Sequence, residues 1–357
     1  MSTGHWSTRA DLLQDGVDVL YGAPMPQYLH NRHPYEPGDD ETFNYWWLAH
    51  VIDCRLDAYG RTHDERRLEQ ACPVHDNIIE RNGGDVRNDY FDDMLWFALA
   101  TLRLYEESRR QRYLDEVLGL WEFIIEYGWN DIMGPSLSWR IQQPGYKNAP
   151  ANAPLAILGA RLHMLIGDRK FLDYALQSFA WICENLVGAD GFVADGMNRL
   201  GDGEMDSGWK FTYNQGTYIG AAVELSACSR HPERYMALAE HTVRASMNQL
   251  VLDEVFAVEG VRGDEGLFKG IFYRYAGLLL SRSTHGSPTI AALERFIVMS
   301  TERMWDHGSR AVGESILFGD DWNSAPVGPQ YLSTQLSAVM AAEQRVGVEC
   351  RRSQAGV

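Results

Sequence analysis

Cysteine pairing, long apolar runs, positive charge and strand-like alternation are all scarce in this sequence, and each shortage closes off a class of protein. The five cysteines, Cys54, Cys72, Cys183, Cys228 and Cys350, are odd in number and far apart, with no C-x-x-C pair. Neither a disulfide framework nor a thiolate metal knuckle is indicated. Asp11, Asp15 and Asp18 interrupt the leucines and valines near the start, and no later stretch approaches about 18 apolar residues. No export signal or membrane span is therefore seen, and the expected location is the cytoplasm, or outside the cell if a leader once preceded Met1. Lys and Arg number 32 against 49 Asp and Glu, a net charge of −17. Such a surface repels phosphate backbones and anionic lipids, so neither nucleic acid nor membrane is an expected partner.

What is abundant is helical period. Apolar residues recur at three- and four-residue steps in twelve segments, near 9 to 21, 44 to 59, 65 to 81, 92 to 107, 112 to 127, 148 to 166, 169 to 186, 214 to 229, 232 to 250, 266 to 280, 289 to 303 and 331 to 346. Their joints carry helix stop and start residues: Gly60 after Tyr59, Gly167-Asp168 ahead of Arg169, and Pro232 at a first turn. The even-numbered segments follow long loops rich in Gly, Pro, Asn and Trp and are apolar on most faces, so they must be buried nearly all round. The odd-numbered ones carry charged runs such as Asp64-Glu65-Arg66-Arg67. Six hairpins alternating inner and outer at a loose repeat predict an all-α fold, an (α/α)6 toroid. One domain is expected over residues 1–350, with 351–357 as a frayed tail. In such a ring the inner helices start on one rim, and polar and aromatic residues gather at those starts. They are Asn44-Tyr45-Trp46-Trp47, Asp89 to Asp93, Lys147-Asn148, Tyr213-Asn214-Gln215, Lys269 with Arg274, and Tyr331.

The chemistry of that rim centres on Asn88-Asp89-Tyr90-Phe91-Asp92-Asp93-Met94-Leu95-Trp96-Phe97. One Asp there would cap a helix and complement its dipole. A second adjacent carboxylate only repels the first, so capping alone does not account for the pair. A metal-binding D-D-x-x-D pattern fails because its fifth position is Trp96, and the acidic loop at 201–206 lacks the ligand spacing of a calcium loop. No metal or cofactor is expected. Glycoside hydrolysis needs one ionised and one protonated carboxyl group flanking a bond. At a helix N-terminus the dipole keeps one carboxylate charged, while that charge and an apolar neighbour raise the pKa of the other. Trp96, three residues after Asp93 and four after Asp92, lies on their side of the helix. Spacing leaves open which carboxylate does which. Trp46, Trp47, Trp139, Trp209 and Trp322 fall in or beside the rim loops, where flat rings can pack on sugar faces. Trp121, Trp181 and Trp305 read as packing.

Four motifs in this order resemble glycoside hydrolase family 76, the α-1,6-mannanases, over nearly the whole chain. They are Tyr90-Phe91-Asp92-Asp93 with Trp96 and Ala98-Leu99-Ala100; Tyr146-Lys147-Asn148-Ala149 to Leu162; Phe211-Thr212-Tyr213-Asn214-Gln215-Gly216-Thr217; and Phe268-Lys269-Gly270-Ile271-Phe272 with Arg274-Tyr275. The resemblance implies an (α/α)6 fold and endo-type, retaining, metal-free hydrolysis of α-1,6-linked mannan or manno-oligosaccharides. It also implies that Asp92 is the nucleophile and Asp93 the acid/base. Asn148, Tyr213, Asn214, Gln215 and Lys269 match motif positions near the sugar. Trp46, Trp47, Asp89, Trp96, Trp139, Lys147 and Arg274 complete the candidate substrate-binding set. Phe97 departs from the second tryptophan that many relatives carry, which touches a subsite rather than the chemistry. The missing export signal suggests an internal enzyme trimming short imported oligosaccharides. Two alternatives are an exo-acting α-1,6-mannosidase and a non-catalytic glycan-binding protein of the same fold. Sugar 2-epimerases and isomerases on this toroid use histidine acid/base pairs, and only His50 lies near a predicted inner start. Nothing in the sequence specifies an oligomeric state.

Overall fold

The computed structural model describes residues 4–283 and 286–354. Among them are twelve α-helices: α1 (Gly4–Tyr21), α2 (Tyr45–Thr62), α3 (Glu65–Arg81), α4 (Phe91–Ser108), α5 (Gln111–Gly128), α6 (Ala149–Ile166), α7 (Arg169–Asn185), α8 (Thr212–Ala227), α9 (Pro232–Leu250), α10 (Glu265–Arg282), α11 (Pro288–Asp306) and α12 (Leu332–Gln354). Each matches one periodic segment of the sequence. The first and last helices in the chain are longer than the apolar period indicates. The extra first turn of α1 is docked by Trp6, which is 1% exposed and donates its indole N–H to Glu302 at 3.0 Å. The last turns of α12 are tied by Arg345 to Glu349 and by Arg351 to Glu294. The helix thus continues through 351–354, the first part of the expected tail; residues 355–357 lie outside the described residues. No helix of the described residues is long and apolar enough to cross a membrane.

Contacts gather the chain into two compact units. The first takes the described residues of Met1–Asp85, Val251–Gly277 and Ala291–Val357, the second those of Val86–Leu250 and Leu278–Ile290. In the first unit α2 and α3 form a hairpin, and α12 packs on α1 and α2. Arg32–His33 pairs with Gln330–Tyr331 as a short antiparallel ladder.

The second unit is built from three hairpins, α4 with α5, α6 with α7, and α8 with α9, and α6 also packs against both α4 and α8. The sequence explains this layering. Residues Ala149 to Ala160 of α6 are all buried, so this helix has no polar face to give to water. Its alanines let neighbouring helices approach, while Leu155, Leu158 and Leu162 each add about 2 kcal/mol of burial. Gly159 is required at the α6–α7 crossing, since a Cβ there would stand 2.6 Å from the Phe171 carbonyl oxygen. Ends are set locally. Asn148 caps α6 by accepting from the Ala151 amide at 3.2 Å, and Gly167 ends it at φ +85°. Asp168 then caps α7 by accepting from the Lys170 amide at 2.9 Å.

Candidate active site

Asp92 and Asp93 occupy the first turn of α4, one and two residues inside its start. The position before the helix is Tyr90, whose side chain makes no cap. Asp92 accepts from the Asp93 backbone amide at 3.1 Å through Oδ1, and from the Trp139 indole N–H at 3.0 Å through Oδ2. Asn88 reaches Asp93 Oδ2 at 3.4 Å. Loop pairing brings Trp139 here. The Phe91 amide donates to the Trp139 carbonyl at 2.9 Å, the Ile141 amide to the Asp89 carbonyl at 3.0 Å, and the Trp139 amide to the Tyr146 carbonyl at 3.1 Å. Burial pushes the Asp92 carboxyl up to about 7, against the pull of its two N–H donors; the charge of Asp195 adds to the rise.

Asp195 is the residue that helical period could not indicate. It is 2% exposed and lies in the loop between α7 and α8. Its Oδ1 accepts from the Tyr213 hydroxyl at 3.0 Å and from the Asn214 amide at 3.1 Å. Its Oδ2 accepts from the Tyr146 hydroxyl at 2.9 Å and pairs with Arg199 at 2.9 Å. Burial raises its pKa, and these four donors oppose that rise. Arg199 also pairs with Asp206 at 3.1 Å and donates to the Tyr146 hydroxyl. The only signal for Asp195 in the sequence is a lone carboxylate set in Val193-Ala194-Asp195-Gly196.

The backbone fixes this carboxylate twice over. Lys147–Asn148 pairs antiparallel with Gly196–Met197, and the Ala149 amide donates to the Asp195 carbonyl at 2.8 Å. Only glycine fits at 196, because a Cβ would stand 2.6 Å from the Tyr146 hydroxyl and 2.7 Å from the Lys147 carbonyl oxygen. Gln215 clamps Val193 on both sides, accepting from its amide at 2.9 Å and donating to its carbonyl at 2.7 Å.

Of the residues singled out from sequence, the second unit brings together Asp92, Asp93, Trp139, Tyr213 and Asn214. Trp96 is 4% exposed on the same helix as the aspartates, and the Asp89 side chain is exposed just ahead of it. Asn148 and Gln215 are buried and hold the loops, as described. Lys147 is fully buried; its ammonium donates to the Ser136 carbonyl at 2.6 Å, and burial lowers its pKa to about 7. It ties down the loop after α5. Trp46, Trp47, Lys269 and Arg274 belong to the first unit. There the two indoles donate to Asp264 Oδ1 at 3.0 and 2.8 Å, Lys269 donates to the Asp320 carbonyl, and Arg274 pairs with Asp57 at 3.0 Å. Among the described residues no group of three or more His, Cys, Asp or Glu could hold a metal ion.

An adjacent pair of carboxyl groups, one pushed toward neutrality and both beside polar and aromatic side chains, is equipped for acid and nucleophilic work on a sugar acetal. Comparison with known proteins agrees. The model of glycosyl hydrolase family 76 matches residues 13–350. The Lin0763 protein from Listeria innocua is similar at 40% identity and a TM-score of 0.92, covering 97% of this chain and 98% of that one. The GH76A α-1,6-mannanase from Salegentibacter sp. HEL1_6 is 33% identical with a TM-score of 0.88, over 96% of this chain and 99% of that one. A variant of that enzyme, inactive through replacement of two consecutive aspartates by asparagine, was solved in complex with α-1,6-mannotriose. It is 32% identical, with a TM-score of 0.87 and the same coverage. These neighbours have the all-α (α/α)6 fold, and that is the fold class of this chain. Among curated relatives, the mannan endo-1,6-alpha-mannosidase DCW1 of Saccharomyces cerevisiae is 23% identical over 60% of this chain. The meiotically up-regulated gene 191 protein of Schizosaccharomyces pombe is 33% identical over 51%. The chain spans about half the length of these two relatives, 46% of the latter and 52% of the former.

Proposed function

Because the chain belongs to glycosyl hydrolase family 76, we propose that it is an α-1,6-mannanase that cleaves within linear mannan or manno-oligosaccharides and retains anomeric configuration. The observation that carries the reading is the Asp92–Asp93 pair on the first turn of α4, with the Trp139 indole N–H on Asp92 at 3.0 Å. Support comes from the Salegentibacter enzyme, which was made inactive at two consecutive aspartates and was solved with an α-1,6-linked trisaccharide. The DCW1 relative is a mannan endo-1,6-alpha-mannosidase, which supports endo cleavage.

In the proposed reaction Asp93 gives its proton to the departing O6 while Asp92 attacks the anomeric carbon and forms a mannosyl ester. Asp93, now a carboxylate, takes a proton from water, which attacks the anomeric carbon and breaks its bond to Asp92, so that the Asp92 carboxylate leaves and Asp93 is protonated again. Two N–H donors on Asp92 suit it to the anionic role, since they fix its lone pairs and favour its charged form. Burial works against that charge and raises the pKa to about 7, so Asp92 is ready as a nucleophile only once ionised, above about pH 7. A simple assay tests the reading: incubation with linear α-1,6-mannan should generate new reducing ends. Asp92→Asn should abolish turnover and still bind the oligosaccharide. Binding by the native protein without any release of reducing ends would make it a glycan-binding protein instead.

A further inference from the structure

Trp209 ends an aromatic row in the second unit. Its ring centroid is 5.9 Å from that of Phe211, and Phe211 is 5.9 Å from Tyr213, the hydroxyl of which is bonded to Asp195. Despite its size, 44% of Trp209 is exposed. Its position is nonetheless defined from one side. The Arg199 guanidinium lies 3.8 Å from the Trp209 ring centroid and 5.9 Å from that of Trp139. Trp209 is therefore one guanidinium away from the indole that bonds Asp92. Arg199 is itself held by Asp195 and Asp206.

A ring held in place on one side and left open to solvent elsewhere is suited to stacking. Pyranose rings have apolar C–H faces, and a flat indole covers one of them. Because Arg199 already restrains the indole, little side-chain freedom remains to be lost on binding. We infer that Trp209 is a stacking platform for one mannosyl unit of the bound chain beside the catalytic pair, with Arg199 as the positioning residue that holds it. The inference rests on the mannan reading above. If Trp209 served only to cover the Arg199–Asp195 ion pair, added sugar would leave its exposure unchanged.

The test uses Asp92→Asn protein saturated with α-1,6-mannotetraose, as judged by calorimetry, and hydroxyl-radical oxidation read by mass spectrometry. Trp209 oxidation should fall several-fold on saturation, while Tyr127, 55% exposed on α5, serves as the internal reference and should not change. In the same background Trp209→Ala should weaken tetraose binding about tenfold, and Trp209→Phe should restore most of it. Unchanged Trp209 oxidation at saturation overturns the platform even if native protein cleaves mannan. Failure of the native protein to cleave mannan, together with failure of the Asp92→Asn protein to bind tetraose, overturns the substrate reading and the platform with it.

Discussion

Replacing Asp92 by asparagine should stabilise the protein at neutral and alkaline pH while abolishing its activity. Burial raises the Asp92 pKa from its ordinary 3.8 to about 7, so the folded state resists ionising this group. The sign follows from linkage: below about 4 the carboxyl is protonated whether the chain is folded or not, and no cost is present. As pH rises from about 4 to about 7, the unfolded chain gives up the proton first and stability falls. A rise of about three pKa units sets the full cost at no more than about 4 kcal/mol. Asparagine carries no charge, and its oxygen can still accept from the Trp139 indole. It gives up one acceptor, the Oδ1 that takes the Asp93 amide, at a cost of about 1 kcal/mol. The net gain is at most about 3 kcal/mol at pH 8, which for a chain of this length is a rise in Tm of at most about 4 °C. Near pH 4 the gain should vanish or reverse. Calorimetric scans of both proteins between pH 4 and 8 measure the difference directly. A gain that does not vary with pH, or a loss at pH 8, would refute the argument that Asp92 is held against its desolvation.

Trp139→Phe keeps the aromatic body but removes the indole N–H from Asp92 Oδ2. A charge-assisted bond of about 1.5 to 3 kcal/mol then no longer favours the carboxylate, and its pKa rises by about one to two units. With Asp92 as nucleophile, native kcat/KM should climb through about pH 7, and in the variant this limb should move to higher pH; a native limb that falls there would exchange the roles of the two aspartates. Gly196→Ala should destabilise the protein by about 1 to 3 kcal/mol in denaturant melts, because the new methyl group meets the Tyr146 hydroxyl and the Lys147 carbonyl. It should also lower activity by displacing Asp195, and full activity in this variant would separate Asp195 from the reaction.

The helical scaffold was legible because each helix buries a face or more, and burial writes itself into the sequence as a three- to four-residue period. Where a helix end is held instead by ion pairs, as at Arg351 with Glu294, the apolar period fades and the end is missed. The aspartate pair was legible for a different reason, since two adjacent carboxylates before an apolar helix are hard to explain as structure alone. Asp195 was not, because its four partners come from Tyr146, Arg199, Tyr213 and Asn214, and the ladder that aims it is only two residues long. Two-residue ladders leave no alternating pattern to read. Lys147 shows what position alone leaves out. At a helix start it looks available to a ligand, yet the loop after α5 folds over it and takes its ammonium.

In the proposed reaction Asp92 and Asp93 together cleave an α-1,6-mannosidic bond through a covalent mannosyl ester. Proton NMR of the first product released from α-1,6-mannohexaose tests it most directly, if spectra are recorded before the new reducing end mutarotates. The α-anomer should appear first with native protein, and no product should appear with Asp92→Asn. Initial release of the β-anomer, or unchanged hydrolysis by the Asp92→Asn protein, would contradict it.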